Sequence, residues 1–132
     1  MIFYVDTSEV RPGRLDMLKA AMADLARFVE ANEPQLIAYH VYFSADDKRM
    51  TVLHINRDSS SLEFHMTTAG PKFSPIGQFI DLLSIDVYGE PEPTVVDQLR
   101  QKARMLGNGT VRVHALHAGF ARGVLESRPT SS

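Results

Sequence analysis

The feature that most constrains the fold of this chain is the order of its strand-like and helix-like segments. Short runs rich in β-branched and aromatic residues alternate with segments whose apolar residues recur every three or four positions, patterns typical of strands and amphipathic helices. The strand-like runs are 2–7, 35–43, 50–56 and 80–88, and the helix-like segments are 14–32 and 60–68. The order β-α-β-β-α-β predicts an α+β domain of the ferredoxin-like type.

The segment after Glu90 adds to this order. A third amphipathic helix is predicted over 94–106 and a last strand over 110–120, with Gly107-Asn108-Gly109 between them as a helix stop. The length of 132 residues suits one hydrophobic core. We therefore expect a single domain over 1–125 and a disordered polar tail over 126–132.

Apolar side chains occur on both faces of the predicted second and third strands. In 35–43, alternate positions place Val41 and Phe43 on one face and Leu36 and Tyr42 on the other. The two long helices can cover only one face of the sheet. We expect the sheet of a second copy to cover the other, giving a homodimer whose two sheets close over a small cavity. In the alternative, the third helix covers that face within a monomer.

Composition excludes several classes of function. The chain has no cysteine, which removes disulfides, thiolate nucleophiles and zinc–thiolate sites and suits the cytoplasm. Its 14 basic and 16 acidic residues provide no field that would attract nucleic acid. Arg100, Lys102 and Arg104 come closest to a basic cluster and are predicted as a solvated helix face. No apolar run is long enough to cross a membrane, and no secretory signal is indicated.

Residues 2 to about 88 resemble the antibiotic biosynthesis monooxygenase (ABM) superfamily, whose members are dimeric α/β-barrel proteins. The resemblance is carried by the entry 10–13 to the first helix, its exit at 32–34, the strand motif 39–42, and the stretch 58–73. In that stretch an acidic residue precedes a helix that carries a histidine and is followed by a phenylalanine. The segment after Glu90 departs from the common family form.

The resemblance implies a function that the residues alone do not. Family members include cofactor-independent oxygenases acting on reduced polyaromatic or quinol substrates, and haem-degrading enzymes. The haem branch is not expected here, because the chain lacks tryptophan and Pro75 stands near the expected position of the iron ligand. The hypothesis is a cofactor-independent monooxygenase acting on a small aromatic or quinol-type substrate. The alternative is a non-catalytic dimer that binds a small apolar or aromatic ligand or has a regulatory role.

His65 is the first candidate for proton transfer, because an unperturbed imidazole titrates near pH 6.5. The alternative is a helix histidine with a structural hydrogen bond. His40 and His54 lie on neighbouring strands and would share a face only if the hairpin shifts the register by one residue. The predicted catalytic residues are His65, His40 and Tyr39, and the predicted substrate-binding residues are Tyr42, His54, Asn56 and Phe73.

No metal or organic cofactor is predicted. His114 and His117 are three residues apart on a predicted strand and would point to opposite faces, so they cannot chelate one ion. The chain also has no glycine-rich phosphate loop.

Overall fold

The computed structural model describes residues 1–123. The elements are β1 Ile2–Val10, α1 Leu15–Asn32, β2 Leu36–Phe43, β3 Arg49–Asn56, α2 Ser59–Ala69, α3 Phe73–Ile76, β4 Ile80–Tyr88, α4 Pro93–Leu106 and β5 Gly107–His114. A short 3₁₀ turn, Gly70–Lys72, joins α2 to α3. The predicted α+β, ferredoxin-like class is confirmed, whereas the predicted tail over 126–132 lies outside the described residues.

The strands form one mixed sheet in the order β2-β3-β1-β4-β5. The strands β2, β3, β1 and β4 pair antiparallel, and β5 pairs parallel to β4. The central position of β1 brings its inward-facing side chains beneath the helices. Side chains on the first strand therefore face residues that are distant in the sequence.

The last strand differs from its prediction. It begins at Gly107, directly after α4, and ends at His114 rather than at Phe120. A Cβ atom at Gly107 would lie 2.7 Å from the backbone nitrogen and oxygen of Leu82. Glycine is therefore needed here for close approach to β4, in addition to ending the helix.

The α-helices pack against each other on the same side of the sheet, with α2 between α1 and α4. Buried apolar residues from α1, α2 and α4 pack on the inward side chains of β1, β3 and β4 to form the core. The alternative that the third predicted helix covers the opposite face is wrong: α4 packs against α2 and α3, and its Lys102 reaches the inward side chains of β1.

The other sheet face carries partly exposed apolar residues at its centre. Phe3 lies opposite Ile55, and Val5 lies opposite Leu53, in the pairing of β1 with β3. No helix of the described chain covers these four side chains.

Within residues 1–123, no helix combines the length and apolar character needed to cross a membrane.

Candidate functional site in the core

A group of polar and aromatic side chains lies between the sheet and the helices. Polar groups in such a place must find partners, since an unpaired buried polar group costs about 1–3 kcal/mol and an unpaired charge costs more. The cluster consists of Tyr4, Asp6, Glu33, Tyr39, His54, His65 and Lys102, with Phe73 against it.

Glu33 and His65 form a fully buried pair. Glu33 follows the last residue of α1, and His65 lies in the middle of α2, whose first turn is capped by the Asp58 side chain. The His65 Nδ1 atom lies 2.7 Å from Oε1 of Glu33, with side-chain exposures of 0% and 1%. The carboxylate thus favours the tautomer in which Nδ1 donates its proton.

This pairing leaves the other ring nitrogen of His65 without a partner among the described residues. Nε2 is buried and makes no hydrogen bond, and neither does Oε2 of Glu33. Burial lowers the pKa of His65, and the adjacent Glu33 carboxylate only partly opposes that effect. The imidazole is therefore neutral near pH 7, with a basic Nε2 inside the core.

Lys102 and Asp6 form a second buried pair. The Lys102 ammonium donates to Oδ2 of Asp6 at 3.0 Å and also to the hydroxyl oxygen of Tyr4. The two charged side chains are 7% and 6% exposed. Burial raises the pKa of Tyr4, and the Asp6 and Glu33 carboxylates raise it further, so the hydroxyl keeps its proton at neutral pH.

Lys102 corrects the prediction of a solvated face on α4. Arg100 and Arg104 are exposed, but Lys102 points into the core. Residues two positions apart on a helix point about 200° apart, so these neighbours do not share its direction. Lys102 instead continues the inward stripe of Val95 and Leu99.

His54 connects the two pairs. Its ring stacks on Tyr4 with centroids 3.7 Å apart and planes inclined by 10°. Its Nδ1 lies 3.1 Å from the backbone oxygen of Tyr4 and can donate to it. Burial holds the pKa of His54 well below its ordinary value, and the nearby His65 and Lys102 add to the effect. The ring of Tyr39 meets His54 edge-on at 4.9 Å, and burial raises the pKa of Tyr39.

A cavity of about 20 Å³ adjoins the cluster. Asp6, Tyr39 and Lys102 contribute to its wall, which is otherwise apolar and includes the flexible side chains of Met22 and Met50. This volume suits one water molecule. It is too small for an aromatic ring, so a ligand of that size requires side chains to move.

The structure brings together several of the predicted site residues. Tyr39, His54, His65 and Phe73 are neighbours on the helix-covered side. Asn56 faces the same side, is buried, and contacts the hydroxyl of Ser61. This polar cluster lies under the helices and not on the apolar sheet face where two sheets were expected to enclose a cavity.

His40 and Tyr42 lie outside this cluster. They are exposed on the opposite sheet face and approach each other at 3.2 Å. The physical reason is register: β2 pairs with β3 so that Tyr39 lies opposite His54, and His40 lies opposite Leu53. The hairpin therefore does not place His40 beside His54, and the candidate residues His40 and Tyr42 lie apart from the cluster that contains His54.

Four members of the cluster were not predicted: Tyr4, Asp6, Glu33 and Lys102. Two sequence signals were available. Tyr4 and Asp6 alternate with apolar residues in a central strand, and Lys102 is spaced three residues from Leu99 and seven from Val95, as an inward residue would be. Glu33 offered no such signal, because a charged residue at a helix exit is ordinarily exposed.

No metal-binding arrangement is evident in residues 1–123, where no group of three histidine, cysteine or acidic side chains is suitably placed. His114 lies on the exposed sheet face, with Nε2 2.8 Å from Oδ1 of Asp86. Arg112 also bonds to that carboxylate, and the pKa of Asp86 is lowered by these contacts, chiefly by Arg112.

The fold and the buried cluster together define a ferredoxin-like α+β protein with its candidate site between sheet and helices. No protein-family model matches the sequence, and no curated protein matches it. Solved structures do match. MupZ from Pseudomonas fluorescens is 18% identical with a TM-score of 0.71, and the match covers 92% of this chain and 88% of MupZ.

Two further structures connect this fold to a named class. An antibiotic biosynthesis monooxygenase is 16% identical with a TM-score of 0.59, and the match covers 70% of this chain and 100% of the other. A mutant form of SnoaB, a cofactor-independent oxygenase from Streptomyces nogalater, is 14% identical with a TM-score of 0.58 over 69% of this chain and 93% of SnoaB. The predicted resemblance is therefore confirmed for the fold.

Proposed function

We propose that this protein is a cofactor-independent monooxygenase acting on a small, uncharged aromatic or quinol-type substrate at the cluster beside Phe73. The observation that carries the proposal is His65, an imidazole held by a buried carboxyl group, whose Nε2 atom is buried in the cluster without a hydrogen-bond partner among the described residues. The fold shared with a cofactor-independent oxygenase supports it, as an analogy and not as an assignment.

In the proposed reaction the His65 Nε2 atom accepts a proton from an acidic hydroxyl or C–H group of the substrate. Glu33 then stabilises the imidazolium across the 2.7 Å contact, as an orienting carboxylate does in other acid–base sites. Lys102 and the Tyr4 hydroxyl, which are hydrogen-bonded to each other, are the donors of the cluster that would stabilise a developing oxyanion.

The electrons come from the substrate itself. For a CH₂ group activated by flanking aromatic rings, the deprotonated carbon transfers electrons to O₂, one oxygen atom becomes bonded to that carbon, and a C–O double bond forms. The second oxygen atom leaves as water with the two hydrogens of the CH₂ group. No external reductant is consumed, and the site supplies proton transfer and charge stabilisation.

The charges of the cluster select among substrates. The cluster holds two carboxyl groups, those of Asp6 and Glu33, and one amino group, that of Lys102. Burying an anionic ligand beside two carboxyl groups carries a large electrostatic cost. The stacked rings of Tyr4 and His54 favour a flat apolar body. The arrangement therefore fits an uncharged aromatic molecule.

Oxygen uptake with a panel of anthrones and hydroquinones tests the proposal. Replacing His65 by glutamine is expected to lower turnover roughly 10²–10⁴-fold, the range for loss of a general base, while far-UV circular dichroism stays unchanged. His117→Gln, which alters an exposed histidine after β5, is the matched control and should retain full turnover. Undiminished oxygen uptake by His65→Gln would contradict the proposed role.

A second candidate function is favoured by the size of the cavity. At about 20 Å³ it does not hold an aromatic ligand as it stands, which suits a small-ligand-binding or regulatory protein whose pocket opens only for its ligand. Such a protein would bind aromatic compounds by calorimetry and consume no oxygen with any of them. That result would replace the oxygenase proposal.

We further propose that the protein is a homodimer and works in the cytoplasm. A second copy would cover the partly exposed Phe3, Val5, Leu53 and Ile55, since a contiguous apolar sheet face marks an interaction surface. A lack of cysteine suits a reducing compartment. Sedimentation giving a monomer mass at all micromolar concentrations would contradict the dimer.

A further inference from the structure

We infer that the free edge of β2 is a surface at which two copies of this chain recognise each other, with their β2 strands paired antiparallel about a twofold axis through Val41. This contact is separate from the open sheet face that is proposed above for the homodimer, because it uses the main chain along one side of the sheet. It joins such dimers and does not depend on the reaction proposed for the buried cluster.

The strand β2 is an edge strand without the usual protection against pairing. It lies at one end of the sheet, and within the described chain only β3 pairs with it. Its eight residues include no charged residue and no proline, whereas native edge strands are commonly shielded by charges, proline or short length. The other edge strand, β5, contains Arg112 and two glycines, which disfavour pairing there.

The hydrogen bonds of the β2–β3 hairpin decide which residues of β2 point their main chain outward. The Ser44 N–H donates to the carbonyl of Arg49 at 2.9 Å. Hydrogen-bonded and non-hydrogen-bonded pairs alternate along an antiparallel ladder, so Tyr42 and His40 also bond to β3. The residues that alternate with these direct their N–H and C=O groups to the free edge, and they are Tyr39, Val41 and Phe43.

The space beside this edge is open. A groove of about 510 Å³ lies between the second half of α1 and the first part of β2, and its walls come from residues between 26 and 34 and from residues 36–40. The sheet ends at β2 on this side in residues 1–123. The position of the next strand is therefore accessible to another chain, and unpaired N–H and C=O groups require that chain to be extended.

A second copy of β2 fits this edge. In an antiparallel pair centred on Val41, Val41 lies opposite Val41 of the second copy and Tyr39 lies opposite Phe43, so each outward N–H meets an outward C=O. On the open face His40 lies opposite Tyr42, and both side chains are exposed there. The cross-strand pairs are thus aliphatic, aromatic or histidine–tyrosine, and none sets like charges opposite each other. A twofold axis also closes the contact at two copies.

Sedimentation equilibrium of the full chain over a concentration series tests the pairing. One strand pair is a small interface, so we expect the mass found at about 10 µM to double by about 1 mM. Val41→Pro removes the central outward N–H and leaves the bonds to β3 in place, since proline is tolerated at an edge whose N–H faces solvent. This variant should keep the low-concentration mass throughout. Val41→Thr retains the N–H and is the matched control, which should still double its mass.

A pair of charge variants tests the alignment of the two strands. His40→Lys/Tyr42→Lys would set like charges opposite each other across the edge and should abolish the doubling. His40→Lys/Tyr42→Glu would set opposite charges there and should retain it. Leu53→Asp, which is directed at the open sheet face, should change the starting mass but not the doubling, and this separates the edge contact from the proposed homodimer.

Amide hydrogen exchange in the wild-type protein locates the contact without any substitution. Over the same concentration range, exchange at Tyr39, Val41 and Phe43 should slow about fivefold if roughly four fifths of the chains are paired. The amides of His40 and Tyr42, which already bond to β3, should change less.

A wild-type mass that stays constant up to about 1 mM, a doubling that survives Val41→Pro, or equal behaviour of the two charge variants would each overturn the inference. Growth beyond a doubled mass would also overturn it, since that result indicates pairing of β2 with β5 of the next copy, which does not close. If Val41→Pro does not fold, unchanged exchange at Tyr39, Val41 and Phe43 decides against the pairing.

Discussion

The ion pair between Lys102 and Asp6 provides the sharpest test of the buried cluster. Its atoms are 3.0 Å apart, and both side chains are less than a tenth exposed. Removing one member of such a pair leaves an uncompensated charge in the core, which typically costs about 3–5 kcal/mol. Lys102→Met and Asp6→Leu should each lose about that much of a total stability of about 5–15 kcal/mol.

The double variant Asp6→Leu/Lys102→Met should behave differently. With both charges gone, no buried ion lacks its partner, and an apolar replacement of a buried pair is often neutral. The Tyr4 hydroxyl still loses the Lys102 ammonium, a loss of about 1–3 kcal/mol. The double variant is therefore expected to be more stable than Lys102→Met alone, despite carrying one substitution more.

The measurement is the free energy of unfolding in urea at pH 7, monitored by far-UV circular dichroism. The slope of this free energy against urea concentration should be the same for all variants, which checks two-state behaviour. Arg104→Met on the exposed side of α4 is the control and should change stability by no more than about 0.5 kcal/mol. A loss below about 1 kcal/mol for Lys102→Met, or additive losses in the double variant, would refute a buried ionised pair.

Two further predictions concern pH and the last two elements. Burial holds the pKa of His54 well below the value of about 6.5 that it has in the unfolded chain. Below about pH 6.5 the unfolded chain therefore binds a proton at His54 that the folded chain does not bind. Stability should therefore fall as pH drops below about 6.5, by up to about 2 kcal/mol from this residue between pH 7 and 5, and His54→Gln should reduce that slope in urea titrations. Ending the chain after Tyr88 would remove α4 and with it the counter-charge of Asp6 and the cover of the core. That form should melt at a much lower temperature or fail to fold, whereas an unchanged melting temperature would mark α4 and β5 as accessory.

The fold could be predicted because its signals are local. Alternation in strands and three- and four-residue spacing in helices each depend on neighbouring residues, and the element order follows from reading them in turn. The largest difference between a predicted and an observed boundary is at the end of β5, which was predicted at Phe120 and lies at His114. The residues after His114 resemble a strand in composition, with Leu116 and Phe120 among them, but they are 78% and 80% exposed and pair with no strand in the described chain. Pairing, and not propensity, ends this strand.

The site could be predicted only in part because its contacts are distant in sequence. His65 meets Glu33 across 32 positions, and Lys102 meets Asp6 across 96. Which charged residue turns inward depends on where α4 lies over the sheet. The sequence indicated Tyr39, His54, His65 and Phe73, but it could not decide the register of the hairpin on which His40 depended.

The alternation of β3 separates the proposed dimer surface from the proposed site and gives a last prediction. Leu53 faces the open side of the sheet, and the next residue, His54, is buried under the helices. An aspartate at position 53 would place a charge in the apolar patch without entering the core, so Leu53→Asp is expected to shift the protein from dimer to monomer in sedimentation. The buried cluster should persist, so the circular dichroism spectrum should stay unchanged. A dimer that survives Leu53→Asp would show that this face is not the interface. Loss of oxygen uptake together with dissociation, in a variant that keeps its circular dichroism spectrum, would show that the partner copy is needed to form the site.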